Sequence, residues 1–434
     1  MKLLLPMIAV ASFGLAHGQH PLNVTLQADR DLLPTSASDC VLQIQVVADK
    51  KPSEKRRTPL NLAIVLDRSG SMSGAKLEKA RQAAAVALDQ LEEDDIFSLV
   101  VYDNDVDVVI PAGKVKDKEA LEKKIHAIQS RGSTALYAGM KEGAKQLKEF
   151  LGKERINRVI LLSDGLANVG PSSPSELATL GQELSKSGIV VSTIGLGDDY
   201  NEDLMTALAE SSHGNYYYVQ DAEKLPGIFQ DELGAVKSIV ARNVKIILTL
   251  PDGIAAKGVL GDDQMKFQGN RLEIPLGEIS SGQKRRFLLG LNVPAGEAVD
   301  LRLADLKIVY EDDKQQSREL TAQAQVSRTK DAEASGKSIN AEVIANSAIV
   351  DNRLAKEKAV ALADAGRTKE AAEVLRSQAA INAALPAPAR SDLIAQDQDA
   401  LLMRASELES KGTLSKESRK RIQYENYQDK TQKR

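Results

Sequence analysis

Residues 61–72, NLAIVLDRSGSM, decide the fold. An apolar run through Leu66 stops abruptly at Asp67 and is followed by serines at alternate positions, Ser69 and Ser71. A run that is continuously apolar rather than alternating reads as a strand covered on both faces, as in a parallel sheet beneath helices. Such a strand has no packing use for a carboxylate and two hydroxyls at its end. Asp and Ser are good helix N-caps and a helical pattern starts soon after Gly74, so capping accounts for the segment taken alone. In open α/β sheets, however, ligands bind beyond the carboxyl ends of the strands, which is where these oxygens fall.

From residue 60 to about 239 strands and helices alternate. Strand patterns occur in LNLAIVLD, DIFSLVVYD, VDVVIPA, RVILLSDG, IVVSTIGLG and NYYYVQ. Helical patterns lie between or after them, in KLEKARQAAAVALDQL, KEALEKKIHAI, LYAGMKEGAKQLKEFL, SELATLGQELSKSG, NEDLMTALAESS and AEKLPGIFQDELGAV. This predicts an α/β fold, a doubly wound and mostly parallel sheet with helices on both faces. Period-two segments from 240 to 328, separated by turns such as PDG and PAGE, predict an antiparallel β-sandwich. Two strands in residues 19–58 would complete it, so that the α/β domain, residues 59–239, is inserted in a β domain. Residues 329–434 read as a helical C-terminal region. Within it KEKAVALADAGRTKEAAEVL resembles one tetratricopeptide-like hairpin, too little for a solenoid.

Composition narrows the function. The 434 residues carry a net charge of −4 and 3% aromatics, which excludes a generally cationic nucleic-acid binder. Lys2, an apolar run and Ala16-His17-Gly18 read as a secretory signal peptide over residues 1–18, rather than an uncleaved anchor, because the run is short for a membrane span. The expectation is an exported protein, periplasmic or extracellular in a bacterial envelope, with no transmembrane segment once the signal is removed. Cys40 is the single cysteine, so no disulfide forms within the chain. Four histidines, two beside the cleavage site, cannot build a zinc cluster or a His-based triad, and the protein is read as a non-enzyme. The tail from residue 411 has eight basic residues against three acidic ones. It reads as a solvated end, with peripheral contact to anionic lipid as its other use.

Two more segments bear on Asp67. RGSTALYAGM places Thr134 in the loop feeding a helix, and VILLSDG ends a buried strand at Asp164. Asp67, Ser69, Ser71, Thr134 and Asp164 therefore converge on one rim without His or Cys. Neutral and anionic oxygens suit a hard cation such as Mg²⁺. With two carboxylates the site stays less than fully anionic, so an outside carboxylate is still attracted to the metal.

DRSGSM, GSTALYAGM and LLSDG, in this order, resemble the metal-ion-dependent adhesion site of von Willebrand factor type A domains, over residues 61 to about 236. Bacterial secreted proteins of this class and, distantly, inter-alpha-trypsin inhibitor heavy chains are similar in wider plan. The resemblance implies that Ser69 and Ser71 bind the metal directly and Thr134 does so when ligand is engaged. It implies that Asp67 and Asp164 act largely through bridging waters. It also implies that an acidic residue of a protein partner fills the last coordination position of Mg²⁺, Mn²⁺ or Ca²⁺. A shift of the last α-helix on ligation would pass the event to the β domain. The alternative is a structural or assembly component of the envelope, with metal-independent contacts made by the sandwich and C-terminal helices.

Other patterns carry less. Asp199, Asn201, Asp203 and Glu210 mimic a calcium loop, but Leu204 stands where the turn needs Gly, and helix capping explains them better. ASGKS lacks the first glycine of a phosphate loop and a preceding strand. Tyr216, Tyr217 and Tyr218 read as core and edge positions of a strand.

Overall fold

A computed structural model describes residues 20–50, 58–152, 155–312 and 315–432. The expected signal peptide and most of the basic linker before Pro59 lie outside the described residues. In chain order the strands and helices begin with β1 (Leu22–Ala28), β2 (Leu32–Pro34), β3 (Ser38–Ala48), β4 (Leu60–Asp67), α1 (Ala75–Asp89), β5 (Ile96–Tyr102) and β6 (Val106–Lys114). There follow α2 (Lys118–His126), α3 (Leu136–Lys148), β7 (Ile156–Ser163), α4 (Pro174–Lys186), β8 (Ile189–Leu196), α5 (Glu202–Ser211), β9 (Tyr216–Val219) and α6 (Leu225–Lys237). Six strands come next: β10 (Ile239–Thr249), β11 (Ala255–Val259), β12 (Arg271–Ser280), β13 (Lys284–Val293), β14 (Asp300–Asp312) and β15 (Ser317–Thr329). The chain then turns helical in α7 (Ala332–Lys337), α8 (Ala341–Asp364), α9 (Thr368–Ala384), α10 (Asp392–Lys411) and α11 (Lys416–Thr431).

The chain forms two compact units. The first comprises Met1–Lys51, Ile239–Asp351 and Asn382–Gln396. Its sheets run β1-β3-β13-β11 and β12-β10-β14-β15-β2, and the inward positions of both form one apolar core. Every pair is antiparallel except β2 against β15, which is parallel. This corrects the expectation of a wholly antiparallel sandwich: β2 is a three-residue edge strand ending in Pro34, whose missing N–H suits an edge. Both serines of ASGKS are structural. The Ser335 hydroxyl donates to the Leu32 carbonyl, while the Ser338 hydroxyl accepts from the Leu32 N–H.

The second unit comprises Pro52–Ser238, Asn352–Ile381 and Asp397–Arg434. Its sheet has the order β6-β5-β4-β7-β8-β9, with all neighbours parallel except β5 and β6. Strands β4, β5 and β7 are buried along their whole length, as their unbroken apolar runs require. Helix α3 lies close on them because Gly139 and Gly143 share one face. A Cβ on Gly139 would stand 2.7 Å from the Tyr102 ring, and one on Gly143 2.3 Å from Val65.

The stretch from residue 329, expected as one helical region, divides between the two units. Its last helix, α11, is not a solvated end. Tyr427 donates to the Gly214 carbonyl at 2.6 Å, and Tyr424 and Tyr427 both meet the Tyr216 ring edge-on. Lys420 is buried, bonded to the Glu202 carboxylate and the Tyr200 carbonyl, with its ammonium 4.6 Å from the Tyr200 ring centroid. Arg419 pairs with Glu202, Asp203 and Asp364, Lys416 with Asp199, and Lys430 with Glu210. Glu425 of α11 in turn pairs with Arg404 and with buried Lys356. Four of the tail's eight basic residues, Lys416, Arg419, Lys420 and Lys430, are thus matched by acids of α5 and the loop before it, which corrects the solvated-end reading. No described helix is long and apolar enough to cross a membrane.

Candidate metal centre

Asp67 is the last residue of β4, and the chain then makes a short 3₁₀ turn, Gly70–Met72, before α1. Ser69 precedes that turn without donating or accepting a side-chain cap, and α1 is capped by Gly74, whose φ is 76°. Helix α3 begins after Ala135, so the Thr134 hydroxyl does not cap it either. Capping, sufficient for DRSGSM in isolation, is therefore not how these hydroxyls are used.

They face one another instead. Ser69 Oγ and Ser71 Oγ lie 3.1 Å apart, and Ser71 donates to Asp164 Oδ1 at 2.7 Å. A Cβ on Gly165 would meet Thr134 Oγ1 at 3.2 Å and Ser71 Oγ at 3.4 Å. Glycine at 165 thus leaves a cradle lined by hydroxyls from two segments and by a carboxylate from a third. The five expected residues come together, with one refinement: Asp164 stands just beyond β7, which ends at Ser163. Among the described residues no group of three or more His, Cys, Asp or Glu side chains is placed to hold a metal ion. With two carboxylates and three hydroxyls, the donor set fits a hard divalent cation rather than a soft one.

Both carboxylates are fully buried. Burial pushes Asp67 up to about 6, against hydrogen bonds from Ser69 and Ser163 and with repulsion from Asp164 adding to the rise. Its Oδ1 accepts from the Ser69 N–H at 2.8 Å and its Oδ2 from Ser163 Oγ at 2.7 Å. Asp164 Oδ2 accepts from Lys76, the second residue of α1.

A charged frame fixes the loops. Arg68 and Arg131 both pair with Asp103 and Asp107. Burial would raise the Asp103 carboxyl, but the Asp105 N–H and the two guanidiniums outweigh it and hold it at about 2. The Arg131 N–H donates to the Arg68 carbonyl at 2.8 Å and the Gly70 N–H to the Gly132 carbonyl at 3.1 Å. Gly132 takes φ 72°, and a Cβ there would touch Asp103 at 3.0 Å, so the turn beside Thr134 requires glycine. On the other side the Thr134 N–H donates to Asn168 Oδ1 at 3.0 Å. The Thr134 loop is therefore held on both flanks.

Reading the sequence did not find Arg68, Asp103, Asp107, Arg131, Asn168, Ser163 or Lys76. Only Lys76 left a local signal: a cation in the first helical turn opposes the helix dipole and needs an anion nearby.

A doubly wound sheet with hydroxyls and buried acids converging at its carboxyl edge places the domain in the class of open α/β folds that carry their sites at that edge. The sequence profile of the von Willebrand factor type A domain matches residues 61–231, and the chain carries such a domain, a fold that generally serves as a protein-interaction module. An uncharacterised Synechocystis protein is 33% identical over 255 residues, 56% of this chain and 60% of its own length. Escherichia coli YfbK, also described as uncharacterised, is 25% identical over 64% of this chain and 49% of its own length. Human inter-alpha-trypsin inhibitor heavy chain H3 is 27% identical over 40% of this chain and 21% of its own. The chain thus spans 60% or less of the length of these relatives. Among solved structures, a von Willebrand factor type A protein from Catenulispora acidiphila aligns with TM-score 0.64 at 17% identity, covering 92% of this chain and 98% of that one. The ArnB paralog VWA2 from Sulfolobus acidocaldarius aligns with TM-score 0.60 at 18% identity, covering 94% and 98%. At these identities the likeness establishes the fold alone.

Proposed function

We propose that this is an exported, non-catalytic binding protein whose type A domain captures an acidic residue of a protein partner through a divalent cation. The observation that carries the reading is the convergence of Ser71, Thr134 and Asp164 at the Gly165 cradle, with Ser69 against Ser71 and none of these hydroxyls spent on helix capping. Ser69, Ser71 and Thr134 would hold the ion without adding charge, and Asp67 and Asp164 would offset its charge from buried positions. A bound Mg²⁺ or Mn²⁺ (or Ca²⁺) would supply an electrophilic position for an outside carboxylate. Export is supported by the apolar N-terminal run behind Lys2.

Titration calorimetry with Mg²⁺ and Mn²⁺ tests the reading. Wild type is expected to bind, and Asp67→Ala to bind on the order of 10–100-fold more weakly, the usual cost of losing a group that orients metal ligands. Equal binding by both proteins, or by neither, sinks it. Partner capture from envelope extract should in turn be lost in chelator.

The raised Asp67 carboxyl sets the pH dependence. Below about pH 6 it holds a proton that the metal must displace, so Mg²⁺ affinity should fall about tenfold per unit of acidification below that point and level off above it. The linked stability effect has the opposite sense. The unfolded chain releases this proton near pH 4, so without metal Asp67 costs stability as pH rises from about 4 to 6. Asp67→Asn should remove that slope in urea melts run in chelator, and an unchanged slope would show that Asp67 does not titrate there.

A further inference from the structure

The Lys76 ammonium bonds the one Asp164 oxygen that Ser71 leaves open. Asp164 is fully buried, whereas the Lys76 side chain is 36% exposed, so a cation reaches in from the surface to a buried carboxylate. It also stands beside the loop after β8. A Cβ on Gly197 would be 3.8 Å from Nζ, and Lys76 is among the charges that hold Asp199 below the usual carboxylate range, after the nearer Lys416. Lys76 lies in the first turn of α1, where the helix dipole disfavours a cation. The bond to Asp164 compensates for that placement.

We propose that Lys76 is a built-in counter-cation that tunes the metal centre. It competes with the divalent ion for Asp164, which weakens cation binding, and it leaves the loaded rim more positive, which favours an anionic group from a partner. The charge count gives the direction. Asp67 and Asp164 sum to −2 and a divalent ion brings the pair to zero, so Lys76 carries the loaded rim to +1. The inference rests on the metal-dependent reading above and adds a residue that sets its affinity.

The direct test is Mn²⁺ titration, by calorimetry and by the loss of the free-ion paramagnetic resonance signal, on wild type, Lys76→Met, Lys76→Arg and Asp67→Ala. Lys76→Met should bind Mn²⁺ at least about tenfold more tightly, because a unit charge a few Å from the ion has been removed. Lys76→Arg keeps the charge and should stay near wild type. In chelator Lys76→Met should melt below wild type, since Asp164 loses its partner, and saturating Mn²⁺ should raise its melting temperature by more than it raises that of wild type. If Lys76→Met does not fold in chelator, Lys76→Gln serves in the same comparison.

Unchanged or weaker Mn²⁺ binding by Lys76→Met, with wild type binding and Asp67→Ala impaired, overturns the role of Lys76 and leaves the metal reading standing. No binding by any of the four proteins overturns both. Binding by Lys76→Met alone, with wild type and Asp67→Ala both failing to bind, overturns the metal-dependent reading of the native protein and, with it, the tuning role of Lys76.

Discussion

Glu232→Ala is expected to destabilise the α/β unit by about 3–5 kcal/mol, the usual cost of removing one member of a buried charged network. Glu232 lies in α6, fully buried, and accepts from the Ser192 hydroxyl, the Asn215 amide and, at 2.7 Å, the Tyr217 hydroxyl. Burial alone would raise its carboxyl, but the Arg158 charge and these donors outweigh it and hold the group below its ordinary range. The carboxylate thus ties the last helix of the sheet to β8, β9 and the turn between α5 and β9. Alanine would take the acceptor from the Ser192, Asn215 and Tyr217 donors and the negative charge from the field of Arg158. Glu232→Gln keeps one acceptor oxygen and should lose less. Urea unfolding of the two variants checks the order, and a loss below about 1 kcal/mol for Glu232→Ala, the scale of a single neutral hydrogen bond, would show that the network relaxes freely.

Deleting residues 413–432 should lower the melting temperature of the α/β unit by roughly 10 °C, the shift that a loss of about 3–5 kcal/mol produces in a domain of this size. The loss comes from the contacts of α11. Tyr427 and Tyr424 leave the Tyr216 ring, and Lys420 leaves Glu202. Tyr427→Phe isolates one part, the hydroxyl's hydrogen bond to the Gly214 carbonyl, for about 1 kcal/mol. Melting within two degrees of wild type after the deletion would make α11 an ornament of the domain rather than a part of it.

The central sheet is legible in the sequence because β4, β5 and β7 are covered on both faces and advertise it with unbroken apolar runs. Asp67, Ser69, Ser71 and Asp164 are legible because each closely follows such a run, where the topology leaves only one edge for them, whereas Thr134, in a loop before a helix, is legible only through the GSTALYAGM motif. Strand β11 is not legible. Its sequence, AAKGV, is short and weakly apolar, and Gly258 sits in a register shift with φ 128°. The place of α11 is hidden for another reason. Its basic residues answer Asp199, Glu202, Asp203 and Glu210, some two hundred positions earlier, and local composition registers the excess charge without its counterpart. The frame of Arg68, Asp103, Asp107 and Arg131 is hidden likewise, since DND and SRG read as ordinary turns until the loops are placed side by side.

The return of α11 to the sheet also orders events during synthesis. β4 through α6 emerge early, yet the aromatic contact for Tyr216 and the cations for Glu202 are translated only after the whole of the sandwich's second half. While the ribosome is still working through residues 239–415, the nascent α/β unit carries an acidic, tyrosine-lined face with nothing to cover it. A ribosome stalled before codon 416 would hold a domain with every rim oxygen made and α11 still missing.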